Sequence, residues 1–345
     1  MRQSEMNQGP AGSRIGVQSA TGSSFPHVPW SWHYACTVSE VRRRPVRCSI
    51  GPRELVFAGC GDRISAFERR CVHMGADLSK GRACNGRLRC PLHGWEFDYT
   101  GQCVHIPAGD TIPRFARQPT FPTAQIGPHV LVFNRETALF DRPFFDGVAP
   151  GELLPAAPFD FVAEMPWYMV AANGFDLQHF RIAHDRRLVD EPQVSCPSPY
   201  AYRIRATFEV SGNSLRDRLT RRIAGPRVTM TVVSWLGTLV FVTAEFPSTT
   251  SYGMVCVRPI APNQSHVRNI VWVRRRSGSM KVLDPLDAAV RRWCIRDFLQ
   301  SDRERSDGIR YNPGSFIEAD AVLAGYFNWL GVTAGGETIN GWHRL

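Results

Sequence analysis

From residue 201 to residue 274 the chain alternates apolar and polar positions with a period of two. In YRIRATFEV (202–210), Tyr202, Ile204, Ala206, Phe208 and Val210 alternate with Arg203, Arg205, Thr207 and Glu209, the pattern of a half-buried antiparallel strand. RVTMTVVSW, TLVFVTAEF, YGMVCVRPI and VRNIVWVRR continue it, joined by LG, PSTTS and APNQS turns. Four or five long strands are expected. The period then changes. In 283–313, Ile295, Phe298, Leu299 and Asp302 fall at i, i+3, i+4 and i+7, one face of a helix, with Asp284-Pro285 at its start and Gly308 and Pro313 as stops. A second helix is predicted over 317–330. Shorter strand-like runs come earlier: ELVFAG (54–59), RISAF (63–67) and HGWEFDYTGQCVHIP (93–107), the last turning at Thr100-Gly101. PWYMVA (166–171) reads as one more apolar strand. The fold class is α+β: an antiparallel sheet, curved around a cavity and backed by helices. Trp235, Phe241, Met254 and Trp272 are candidates for the cavity wall. There is no internal repeat.

Composition narrows the picture. A chain of 345 residues that is 43% hydrophobic has room for about two domains and a substantial core. The longest apolar stretch, TMTVVSWLGTLVFVTAEF (229–246), is broken by Gly, Ser and Thr, short of the roughly 18 uninterrupted residues of a membrane helix. No signal-peptide core stands at the N-terminus, so a soluble cytoplasmic protein is expected. Residues 1–24 are rich in Gly, Ser and Gln and predict a disordered tail. The net charge of +10 does not read as nucleic-acid binding. Lys80 and Lys281 are the only lysines, and arginine supplies the other 39 of 41 basic residues, spread along the chain with no basic arm interleaved with aromatics. Such a surface is ordinary solvated charge, or a field that steers acidic partner proteins.

The ten cysteines carry the first specific signal. Cys36, Cys48, Cys60, Cys196, Cys256 and Cys294 stand singly, whereas Cys71, Cys84, Cys90 and Cys103 crowd together. Without secretion a disulfide framework is disfavoured. Cys71-x-His73 and Cys90-x-x-His93 form two mixed clips sixteen residues apart. Zinc sites pair C-x2-C with H-x3–5-H, a poor fit; a [2Fe–2S] cluster with two cysteines on one iron and two histidines on the other takes one ligand per iron from each clip. Gly75 and Pro91 suit tight ligand loops, and Trp95 would shield the cluster.

A second signal is NGFDLQHFRIAH (173–184). Asp176 and His179 share a helical face, but His184, five residues beyond His179, lies about 140° further round. The two imidazoles converge only if the helix is distorted, as by a one-residue bulge, or ends between them.

The frame C-x-H-x16-C-x2-H followed by Gly-Trp resembles the Rieske domain of Rieske non-haem iron oxygenases. Ala76 and Leu92 stand where similar respiratory Rieske proteins carry disulfide cysteines, which favours the lower-potential oxygenase type and leaves Cys84 and Cys103 as spectators. N-x2-D-x2-H-x4-H is similar to the mononuclear-iron motif of the same family. The resemblance implies that His179 and His184 bind Fe(II) with a carboxylate from a late helix. Asp302 is the preferred carboxylate, because it extends an apolar stripe where an unpaired charge should not be buried; Asp297, which shares a face with Trp293, and Glu304 are its rivals. The resemblance also implies that Asp176 bonds a ligand histidine and faces a cluster histidine of the neighbouring subunit, although an acid at a helix N-terminus is the plainer reading. Asn173 is either an N-cap or a contact near the open iron positions. Ala172 replaces an acid common in the family.

The implied organisation is an all-β Rieske [2Fe–2S] domain at 25–135, a Pro/Gly-rich linker at 136–166 and a helix-grip catalytic domain at 167–345. The surroundings CVHMGADLSKG are similar to the single-subunit group (phthalate, vanillate, ketosteroid). This implies a homotrimeric terminal oxygenase taking electrons from a ferredoxin or reductase, NAD(P)H acting only through that partner. With O2 it would hydroxylate or demethylate a bulky, mainly apolar molecule such as a steroid or polycyclic natural product. Desaturation, oxidative cyclisation, or a non-catalytic electron-transfer or redox-sensing role are the alternatives.

Overall fold

The computed structural model describes residue 25 and residues 27–60, 63–109 and 111–338; the expected tail, 1–24, lies outside them. The alternating region forms five long strands, Ala201–Val210, Arg227–Trp235, Leu239–Glu245, Thr250–Ala261 and Gln264–Arg274. Each pairs antiparallel with the next. Arg186–Leu188 and Gln193–Ser198 extend one edge by pairing with Ala201–Val210. Leu153–Pro155 and Phe159–Ala163 extend the other by pairing with Gln264–Arg274. The expected linker is therefore shorter than 136–166: its second half contributes two strands to the large sheet.

Directly paired residues of an antiparallel sheet point to the same side, so the register sorts the side chains into two layers. On one face, Leu239, Phe241, Met254, Cys256, Ile270 and Trp272 pack against Trp32, Tyr34, Leu131 and Phe133 of the N-terminal domain. On the other, Ile204, Phe208, Val232, Val240, Val257 and Val267 pack against the helices. Both layers are needed, because the strands from Leu239 onward carry apolar residues on their two sides, unlike Ala201–Val210, whose second side is Arg203, Arg205, Thr207 and Glu209. Burying one such side chain stabilises by about 1.5–3 kcal/mol. This corrects the proposed cavity wall. Phe241, Met254 and Trp272 belong to the layer facing the N-terminal domain, and Trp235 packs at its margin; none faces the helices.

Among the described residues there are six α-helices: α1 (Val38–Arg43), α2 (Trp167–Ala172), α3 (Leu177–His184), α4 (Leu215–Ile223), α5 (Asp284–Ser306) and α6 (Ala321–Thr333). The last two occupy the regions expected from periodicity. PWYMVA is not a strand but α2, with Pro166 just before its first residue. A short apolar run carries no period that separates a buried strand from a buried helix, and five of the six α2 residues are buried. The sequence pattern missed α4, whose apolar Leu215, Leu219 and Ile223 are exposed and so mark no core face. It is started by Ser214, whose hydroxyl accepts from the Asp217 N–H.

The N-terminal domain is built from short strands. Val46–Ile50, Arg53–Cys60, Arg63–Glu68 and Thr120–Phe121 make one sheet; Trp32–Thr37, His129–Phe133 and Thr123–Ile126 a second. Arg82–Cys84, Arg87–Arg89, Glu96–Asp98 and Cys103–His105 form a meander. Gly101 turns its last hairpin at φ +86, where a Cβ would stand 2.0 Å from the Gln118 carbonyl oxygen; only glycine fits there. The two domains are joined by buried hydrogen bonds at the Thr238 hydroxyl, which donates to the Trp32 carbonyl (3.0 Å) and accepts from the Ser31 hydroxyl (2.8 Å).

Candidate active site

Two constellations emerge, one at each end of the predicted chemistry. In the N-terminal domain the two Cys/His clips are built to one plan. The Cys71 N–H donates to the Ala76 carbonyl (2.9 Å) and the Gly75 N–H returns to the Cys71 carbonyl (2.8 Å). The Cys90 N–H donates to the Trp95 carbonyl (2.8 Å) and the Gly94 N–H returns to the Cys90 carbonyl (3.2 Å). Both glycines have positive φ, +72 and +70, which a side chain rarely adopts. Gly75 and Gly94 thus close the loops, with Pro91 inside the turn of the second. Gln118, fully buried, holds the first loop in place. Its Oε1 accepts from the Val72 N–H (2.8 Å), and its Nε2 donates to the Glu68 and Arg70 carbonyls (2.8 and 2.9 Å). No sequence signal marked it.

These loops bring the four predicted residues together. The rings of His73 and His93 are 4.7 Å apart, and Trp95 stacks on His73 at 4.2 Å and 7°. Cys71 and Cys90 are both buried. Burial pushes the Cys71 thiol up to about 12, so its thiolate needs a compensating cation. His73 Nδ1 is buried with no hydrogen-bond partner among the described residues. Two buried sulfurs and two adjoining imidazoles, one with a buried unpartnered nitrogen, are the donor set of a Rieske-type [2Fe–2S] cluster. Cys84 is exposed and the Cys103 sulfur points to the His105 carbonyl at 3.7 Å, consistent with spectators.

The second constellation forms where α3 meets α5. His184 Nε2 lies 3.2 Å from His179 Nε2 and 2.7 Å from Asp302 Oδ1, and His179 Nε2 is 3.1 Å from the same oxygen. Metal–ligand bonds of about 2.1 Å at near-right angles separate donor atoms by about 3 Å, so the three atoms are spaced to share one ion. The His184 side chain is 1% exposed and that of Asp302 15%. Burial pushes the Asp302 carboxyl up, but the imidazoles of His179 and His184 more than offset it and hold it below the ordinary value. Burial lowers His184, favouring the neutral form that binds metal. Phe298 stacks on His184 at 3.6 Å and 13°, which excludes water from one side. The rivals do not converge: Asp297 is exposed on the outer side of α5 with Trp293, and Glu304 accepts from Gln300 (3.1 Å) at the surface.

The i,i+5 spacing is accommodated without a break between the histidines. Helix α3 runs unbroken to His184, and only its last turn widens: Asp185 is left-handed (φ 51) and its N–H reaches back to the Phe180 carbonyl, five residues away as in a Schellman ending. Arg186 secures that ending. Its Nη1 donates to the His184 carbonyl (2.8 Å) and to Asp217 Oδ1 (2.9 Å), so the unforeseen α4 anchors a site residue.

Asp176 takes the helix-N-terminal post and Asn173 a contact rather than a cap. Asp176 is the N-cap of α3, accepting from the His179 N–H at 2.9 Å; no hydrogen bond joins it to an imidazole ring among the described residues. Asn173 is not the cap, but donates through Nδ2 to Ser306 Oγ (3.3 Å) at the end of α5. It ties the segment bearing the histidines to the helix bearing Asp302.

Comparison with known proteins agrees with this architecture. Residues 31–116 match the model of the Rieske [2Fe-2S] domain. Methylxanthine N1-demethylase NdmA of Pseudomonas putida is 31% identical over 312 residues, 85% of this chain and 79% of that protein. Aminopyrrolnitrin oxygenase PrnD of Pseudomonas fluorescens is 37% identical over 165 residues, but the match spans only 45% of either chain. Among solved structures, dicamba monooxygenase bound to dicamba superposes with a TM-score of 0.67 over 89% of this chain and 97% of its own at 18% identity, a likeness of fold alone. The chain belongs to the Rieske non-haem iron oxygenases, oxidoreductases with an N-terminal Rieske domain and a catalytic domain of antiparallel sheet and helices.

Proposed function

We propose that this protein is the terminal oxygenase of a multicomponent monooxygenase, hydroxylating or demethylating a mainly apolar organic molecule. Cys71, His73, Cys90 and His93 would hold the [2Fe–2S] cluster, and His179, His184 and Asp302 a mononuclear iron(II). When bound, these groups supply single electrons and a metal with positions open to O2. The observation that carries the reading is the convergence of His179 Nε2, His184 Nε2 and Asp302 Oδ1 within 2.7–3.2 Å.

The chain's own residues then have definite tasks. Asp302 balances the metal's charge, while Phe298 and the apolar helix-facing side of the sheet keep water away. Arg186 and Asp217 hold the end of α3, and Asn173 with Ser306 holds α3 against α5. Asp176 spends one oxygen on α3, leaving the other for an imidazole of a neighbouring subunit if three chains assemble head to tail. A ferredoxin or reductase would deliver electrons to the cluster, with a division near residue 135 separating the two domains. The similarity to a methylxanthine demethylase over most of the chain favours demethylation through hydroxylation; a steroid or polycyclic substrate has no comparable support. Among the described residues no helix is long and apolar enough to cross a membrane.

Iron and acid-labile sulfide analysis of anaerobically purified protein tests the reading. About three irons and two sulfides per chain are expected. Two irons and two sulfides that added Fe(II) cannot raise would leave an electron carrier or sensor instead.

A further inference from the structure

Asn269 is a polar residue in an apolar layer. It lies in the strand Gln264–Arg274, on the same face as Val267 and Val271, which pack against the helices. Register places Phe159 and Val255 directly beside it on the two neighbouring strands. All four same-face neighbours are therefore apolar. Asn269 is 2% exposed, and neither its Oδ1 nor its Nδ2 has a hydrogen-bond partner among the described residues. Leaving a carboxamide unpaired in such a place costs roughly 1–3 kcal/mol relative to a satisfied one, and a leucine would fill the space at no such cost.

Its place along the strand gives the reason for keeping it. Helix α5 runs opposite to this strand and is pinned at both ends. Asp284 pairs with Arg276 (2.9 Å) just past the strand's end. At the other end the Gly308 N–H donates to the Glu164 carbonyl (3.1 Å), next to Ala163, which is paired with Ser265. Between these anchors, Ile295 and Leu299 pack against the cluster that holds Phe159, Val271 and Val273. Asn269, one step further along the same face, sits beneath the part of α5 that leads to Asp302. Two nearby helix-facing positions, Phe161 and Val255, are only partly buried.

Building on the function proposed above, we infer that Asn269 is the polar recognition group of the substrate pocket, and that the substrate presents a cis-amide edge to it. Such an edge, an N–H beside a C=O as in a lactam or imide, pairs with a carboxamide in both directions. The substrate C=O accepts from Nδ2 and its N–H donates to Oδ1. The remaining wall selects a flat apolar body, and Asn269 sets which edge turns away from the iron site. Sites built around a buried hydrogen-bonding group reject analogues that leave it unpaired.

The test uses 2-quinolone and N-methyl-2-quinolone, a lactam and its analogue without the N–H, titrated calorimetrically into anaerobic, iron-loaded protein. Wild type should hold the lactam about tenfold more tightly or better. Asn269→Leu should abolish the preference and raise the thermal midpoint, because it removes the unpaired amide. Equal affinity of wild type for both probes, or no binding of the lactam, would overturn the inference. So would a preference that survives in Asn269→Leu, or a midpoint lowered in both Asn269→Leu and Asn269→Val, which would mean a structural bond. Iron content of the same samples separates the two levels: a missing third iron defeats the proposed function, whereas full iron with no lactam preference defeats only the role of Asn269.

Discussion

The two constellations are built in opposite ways. The Cys71–His73 and Cys90–His93 clips are shaped by their own backbones: each cysteine N–H and carbonyl is used within five residues, around one glycine of positive φ. The His179–His184–Asp302 group has no such local frame. Its carboxylate comes from 123 residues away, and its geometry depends on α5 lying across the sheet and on α4 holding the end of α3. The first site is a property of two loops; the second is a property of the fold. The first should therefore respond to its loops, and the second to distant packing.

The largest effect that sharpens this contrast is removal of ligands. Cys71→Ser or Cys90→Ser should abolish the cluster's visible absorption and labile sulfide, while mononuclear iron still binds at the other site. Retained sulfide in either variant would break the assignment. Asp302→Ala should lose the mononuclear iron and at least about 100-fold in turnover, more than the 10–100-fold typical of supporting partners, with the cluster spectrum unchanged. Asp297→Ala and Glu304→Ala should keep full iron; if either loses it, the carboxylate has been misplaced.

Supporting residues come next. Replacing Arg186 by Met takes the guanidinium from the buried Asp217 carboxylate, which keeps its bond from the Ser214 hydroxyl; removing one partner of a buried ion pair costs up to about 3–5 kcal/mol. It should lower the unfolding midpoint and the affinity for iron(II), leaving the cluster intact. Gln118→Leu strands the Val72 N–H and two carbonyls, at about 1–3 kcal/mol each where they stay buried; its signature should be a labile cluster with normal iron(II) binding. Were both variants to damage both sites equally, the contrast between loop-built and fold-built sites would fail.

The last effect is on stability alone and concerns the ground between the sites. His33 and His129 are buried, one on each of two neighbouring strands of the N-terminal domain, and burial lowers them to about 3 and about 4. The folded protein keeps both neutral, whereas the unfolded chain protonates them near pH 6.5. Stability should therefore be full above about pH 6.5 and fall as pH drops from there toward 4, by up to about 1.4 kcal/mol per pH unit for each group. Chemical denaturation at pH 7 and pH 5 measures it; a flat profile would show that these histidines are protonated in the folded state.

The sequence by itself determined whatever rests on neighbours along the chain. The strand alternation at 201–274 and the start of α5 at Asp284-Pro285 were legible, because turn chemistry and periodicity act over a few residues; the candidate cluster residues and the two histidines of α3 were read from motif spacing and the resemblance it carries, since His179 and His184 do not share an ideal helical face. Asp302 stood out from Asp297 and Glu304 as a charge extending an apolar stripe, on the late helix to which the resemblance pointed. Other features were decided only in three dimensions. PWYMVA became α2 because its short apolar run is equally compatible with strand or helix until the layer it fills is known. Trp235, Phe241, Met254 and Trp272 turned away from the helices because the face of a strand is set by register with its partners. Gln118, Arg186, Asp217 and Asn269 carry no local signature: each matters through what stands opposite it, or, for Asn269, through what does not. Periodicity says that a residue will be buried; only the tertiary structure says against what, and that contact gives it its chemistry.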